Sequence, residues 1–114
     1  MKTKIITTVL ISFLLASCYY DKENELFTCN TSNITYANTV QALVTSKCNS
    51  CHSGSILNSG LDLSNVTVLR RIALNDSLHK AVTGNGLTRM PFGGPYLSDC
   101  EISKLKAWKD AGAP

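Results

Sequence analysis

Apolar residues fall into two unlike patterns along this chain. The first is a nearly unbroken run from Ile5 to Leu15, interrupted only by Thr7, Thr8 and Ser12. The second is periodic. Between Tyr36 and Lys47 the apolar positions Tyr36, Val40, Leu43 and Val44 recur at helical spacing, which predicts a helix running directly into Cys48. Val66, Leu69, Ile72 and Ala73 predict a second helix over about 65–74, with Ser64 as its N-cap. A short third one is expected from Asp76 to Thr83, stopped by Gly84-Asn85-Gly86.

The last helix carries the clearest signals. Ser98 and Glu101 have the spacing of a capping box, and Leu97 and Ile102 that of a hydrophobic staple. Ile102, Leu105 and Trp108 then form an apolar face. Lys104, Lys106 and Lys109 face water and suit the negative end of the helix dipole. Gly112 and Pro114 close the element. No window alternates with period two over a useful length, so an all-α domain of three to five helices is expected. The stretches Gly54–Gly60 and Pro91–Pro95 are expected to be loops.

A chain of 114 residues is enough for one domain. The first apolar run does not belong to it. Lys2 and Lys4, then the short apolar core, then Leu15-Ala16-Ser17-Cys18 follow the order of a secretory signal. The run is too short to cross a bilayer, which takes about 18 or more apolar residues. Leucine, two small residues and cysteine resemble a bacterial lipobox. That resemblance implies that residues 1–17 are a lipoprotein signal peptide and that Cys18 is acylated. Residues 18–27 then read as lipid anchor and flexible tether, with Asp21 to Glu25 polar throughout. The folded domain covers 28–114. Loss of Lys2 and Lys4 with the signal lowers the formal charge of +3 by two, which leaves no electrostatic argument for nucleic acid.

Within the domain, Cys48-Asn49-Ser50-Cys51-His52 has the form C-x-x-C-H, the pattern of c-type haem attachment. Thiols one helical turn apart can each add to one vinyl group of the same porphyrin. The histidine directly after the second thiol then falls over the iron and supplies a nitrogen ligand. Two other readings of the thiols stand beside this one. A thioredoxin-like redox pair needs a preceding strand and a βαβ context, where a helix is expected here. A structural zinc site would recruit Cys29 and Cys100, which are isolated and far apart in sequence.

A second axial ligand is expected downstream. Met90 is the only methionine besides Met1, and it sits in Arg89-Met90-Pro91-Phe92-Gly93-Gly94-Pro95. Proline and glycine make a tight loop that can hold a thioether at an iron, although methionine more often fills a core. The rival ligand is His79, the one other histidine. Arg89 would pair with a haem propionate, and Trp108 and Tyr36 would pack on the porphyrin.

The lipobox, the helix leading into C-N-S-C-H-S-G, the M-P-F-G-G-P loop and the ending L-S-D-C-E-I-S-K-L-K-A-W-K-D-A-G-A-P together resemble small monohaem c-type cytochrome lipoproteins. The resemblance covers nearly all of 28–114. It implies a cytochrome c-like fold around one covalently bound haem c, with N- and C-terminal helices crossing beside it. Cofactor residues are then Cys48, Cys51, His52 and Met90, the last two binding the metal. Phe92 departs from family loops, which often carry a second proline or a basic residue there. The remaining cysteines, Cys29 and Cys100, are expected to form a disulfide in an oxidising compartment, the alternative being two free thiols.

The function expected is electron transfer rather than catalysis, between redox protein partners of unknown identity. The chain would be a monomer, lipid-anchored in the bacterial cell envelope. Tyr19 after the lipid cysteine leans, by family resemblance, towards the outer membrane facing the periplasm. Two other classes remain open: a haem enzyme or gas sensor with an open iron site, and a haem-free zinc or disulfide binding module.

Overall fold

The computed structural model describes residues 28–114. The signal 1–17, the lipidation candidate Cys18 and the tether to residue 27 lie outside the described residues. Helices dominate the domain. A π-helical stretch, Tyr36–Val40, leads into α1, Gln41–Lys47. A ribbon follows, β1 His52–Ser53 and β2 Ile56–Leu57, and then a 3-10 turn, Asn58–Gly60. The rest is α2, Val66–Leu74, α3, Ser77–Thr83, and α4, Asp99–Asp110.

Local chemistry explains where each helix begins. Thr35 Oγ1 accepts from the Asn38 amide, and Asn38 Oδ1 accepts from the Thr35 amide, so the first helix opens on a reciprocal box. The cap of α2 is Asn65, one residue later than expected. Asn65 Oδ1 accepts from the amides of Thr67 and Val68, whereas the Ser64 hydroxyl is engaged by Asp62. Gly84, at φ +73°, ends α3 in the left-handed region that glycine adopts without strain. The expected box of α4 is present: Ser98 Oγ accepts from the Glu101 amide at 3.2 Å, and Glu101 accepts from the Ser98 amide at 2.8 Å.

The ribbon departs from the expected loop at Gly54–Gly60. His52 pairs with Leu57 and Ser53 with Ile56, antiparallel around Gly54-Ser55. Gly54 stands at φ +61°, which lets the chain reverse within so short a link.

The helices bury one apolar core. Val40, Val44, Leu69, Val82, Leu105 and Trp108 lie in it. The first helix is tied at both of its ends to the segment around α4. At one side the Tyr36 amide and the Trp108 indole N–H both donate to a Pro114 oxygen, at 2.9 and 2.8 Å. At the other, Lys47 Nζ lies 3.4 Å from Glu101 Oε1. Arg70 Nε donates to the Ala113 carbonyl at 2.9 Å and ties α2 to the same end as Pro114.

Cys29 and Cys100 form a disulfide, with Cα atoms 5.4 Å apart. It fastens the start of the described chain to the first turn of α4. No helix among the described residues is long and apolar enough to cross a membrane.

Candidate cofactor site

The C-x-x-C-H segment is a single tight turn hung on the end of α1. The amides of Cys48 and Asn49 both donate to Val44, carrying the helix ladder into the motif. The amides of Cys51 and His52 then both donate to the Cys48 carbonyl, at 3.1 and 3.0 Å. One carbonyl thus gathers the whole motif. Residues three and four apart in such a turn lie on neighbouring positions of one face. Cys48 and Cys51 are both free thiols.

The turn is braced from below. The His52 carbonyl accepts from the Leu63 amide at 2.7 Å, and the Cys51 carbonyl from the Asn58 amide at 3.2 Å. The Ser53 hydroxyl donates back to the Asn49 carbonyl at 2.6 Å. The segment expected only as a loop therefore serves to position the motif: Leu57 pairs with His52 across the ribbon, and Asn58 and Leu63 beyond it hold the Cys51 and His52 carbonyls.

The side chains inside this frame are not self-satisfied. His52 Nδ1 and Asn49 Oδ1 are buried and have no hydrogen-bond partner. An orphaned buried polar atom costs roughly 1–3 kcal/mol, and such orphans are rare. The donor set itself, two free thiols on one turn and the imidazole next to them, is what a c-type haem would use: the thiols for the porphyrin and a ring nitrogen for the iron. Burial pushes the Cys48 thiol up to about 11. A thiol–disulfide catalyst favours the opposite, and the helix α1 precedes the pair where a thioredoxin-like site has a strand. The zinc reading loses its ligands, because Cys29 and Cys100 are bonded to each other. Among the described residues no cluster of three or more His, Cys, Asp or Glu is placed to hold a metal.

Met90 comes to its place on a separate segment. Its amide donates to the Ala81 carbonyl at 2.9 Å, so the residue is pinned to the last turn of α3. Its side chain is partly buried. Beyond it the chain folds back on itself, with the Gly94 amide donating to the Pro91 carbonyl at 3.0 Å. Arg89, expected to be free for an anionic group, lies with its guanidinium 4.2 Å from the centre of the Tyr96 ring.

His79, the rival ligand, lies on α3 and lines a small recess with Ala73, Leu78, Leu105 and Lys109. Its Nδ1 is also buried and unpartnered. The orphan nitrogen alone therefore does not distinguish the two histidines. The adjacent thiols do, and only His52 has them. Trp108 is fully enclosed in the helical core with its N–H donated to Pro114, a placement that packing alone accounts for.

Sequence reasoning overlooked Tyr96 and read Gly84 only as a helix stop. The signal for Tyr96 was its position, directly after the Met90–Pro95 loop as Arg89 is directly before it. No protein-family model matches this chain, and no curated protein or solved structure proves similar to it.

Proposed function

We propose that this chain is a monohaem c-type cytochrome, an electron carrier with a cytochrome c-like fold, held at a bacterial envelope membrane by acylated Cys18. One observation carries the reading: two free thiols held one turn apart on a single carbonyl, followed at once by a histidine. Bound covalently, the haem supplies an iron that takes up and releases one electron. The chain's own residues do the rest. Cys48 and Cys51 would hold the porphyrin through thioethers, and His52 and Met90 would offer a ring nitrogen and a thioether to the iron. Were both residues to bind, no position would be left for a substrate, and the chemistry the haem would supply is outer-sphere electron transfer to redox partners.

The distribution of exposed apolar side chains supports the same reading. Exposed large hydrophobics are individually ordinary on a protein surface. Here they are Ile56, Leu57, Leu74, Leu87, Phe92 and Tyr96. All but Leu74 lie within a few residues of His52 or Met90 in sequence. Among the described residues these exposed apolar side chains thus fall mostly on the segments that carry the two candidate ligands.

The absorption spectrum tests the reading. Protein from a host that attaches haem to exported chains should show sharp reduced-minus-oxidised haem bands and bind no carbon monoxide. A colourless protein would overturn the cytochrome assignment. A coloured one that binds carbon monoxide readily would move it to the enzyme or sensor class.

A further inference from the structure

We propose that Arg89 and Tyr96 form a clasp that positions the Met90 thioether. The inference rests on the cytochrome reading above and adds to it the device that holds the sixth ligand. Arg89 directly precedes Met90, and Tyr96 directly follows Pro95. Their stack, 4.2 Å from guanidinium carbon to ring centre, therefore closes the loop Met90–Pro95 at its neck.

The inner side of the neck is fitted to Arg89. A Cβ built on Gly84 would come 3.1 Å from the Arg89 Cβ, and Gly84 also stands at φ +73°. Glycine there both ends α3 and leaves room for the Arg89 stem. The loop is thus held at two points on one side, the Met90 amide on Ala81 and the Arg89 stem against Gly84. On the other side Tyr96 holds it. Within it, Gly93 and Gly94 at φ +79° and +72° supply the reversal. Phe92 projects at the apex, 81% exposed.

An axial thioether competes with any added ligand for the iron. Its effective strength depends on how far the loop is pre-organised, since ordering costs entropy that a fixed loop has already lost. Arg89 and Tyr96 are positioning residues in this account, acting through Met90. A surface cation–π contact is weak, so its loss should raise the population of the methionine-off form about two- to fivefold.

The experiment is an imidazole titration of the oxidised holoprotein, with the far-red sulfur–iron band recorded in the same samples. Tyr96→Leu and Arg89→Gln should each tighten imidazole binding about two- to fivefold and weaken the band. Tyr96→Phe and Arg89→Lys, which keep ring and cation, should stay near wild type. The double variant Arg89→Gln/Tyr96→Leu should do no more than either single change, because both remove one interaction. Both residues are at the surface, and thermal melting of each variant checks that the fold is intact. Unchanged imidazole affinity in Tyr96→Leu and Arg89→Gln, with the band present in wild type, would overturn the clasp alone. Absence of the band in wild type would overturn the Met90 assignment and the clasp with it.

Discussion

Replacing Met90 with alanine separates attachment from ligation. In the proposed cytochrome, attachment would depend on the Cys48 and Cys51 thiols and ligation on the thioether, so Met90→Ala should keep its haem through purification and denaturation. It should also open the sixth position, lower the reduction potential and admit carbon monoxide, since a methionine ligand raises the potential. The measurement is a redox titration with a carbon monoxide spectrum. An unchanged potential and spectrum would assign the iron to another group, His79 first. At this scale the sequence was most legible where chemistry is local. Cys48, Cys51 and His52 are joined by bonds to a single carbonyl within five residues, so their relation needs no tertiary knowledge. Tyr96 was not legible, because its partner Arg89 lies across a loop whose reversal depends on backbone angles at Gly93 and Gly94.

Among the elements, α4 best shows how a local signal becomes a tertiary joint. Glu101 caps its own helix and also meets Lys47, the residue before the C-x-x-C-H segment. Burial alone would raise its carboxyl, but hydrogen bonds from the Ser98 amide and hydroxyl and from Lys47 outweigh that and hold it below the usual range. Such a group stabilises the fold above its unfolded value, and the contribution is lost as pH falls through the folded one. Wild-type protein should therefore lose melting temperature on acidification below the ordinary glutamate range. Glu101→Gln should start lower at neutral pH and show a shallower acid slope. Melting curves across that range check it, and parallel slopes for the two proteins would contradict it. The box at Ser98 was readable because both of its bonds fall within four residues. The box at Thr35 was missed because asparagine stands where the familiar pattern has glutamate or glutamine. The α2 cap moved by one because Asp62 competes for the Ser64 hydroxyl. The ribbon was invisible to periodicity, since strands of two residues cannot display alternation.

At the level of the molecule, the chain is closed at both ends of its helical pair. The disulfide joins residues 71 apart in sequence, and Pro114 receives donors from Tyr36 and Trp108. Closing a loop of that length is worth about 4 kcal/mol in the chain-entropy model, against a total of about 5–15 kcal/mol for a typical domain. Cys29→Ser with Cys100→Ser should lower unfolding free energy by about that amount in denaturant titrations. A loss well under about 1 kcal/mol would mean the helical pair holds itself without the bond. All-α character was legible across the whole domain, because every helix shows its apolar period. How the helices pack was not, since it depends on contacts such as Lys47–Glu101 that join distant segments.

Everything in the functional account depends on the cofactor being bonded to the two thiols of one turn. Intact-mass measurement after acid–acetone extraction tests this directly, on protein made in a host with working haem-attachment machinery. The account predicts that the wild-type chain retains the added mass of one haem and that the variant with both Cys48→Ser and Cys51→Ser retains none. A wild-type chain at its bare polypeptide mass would contradict it.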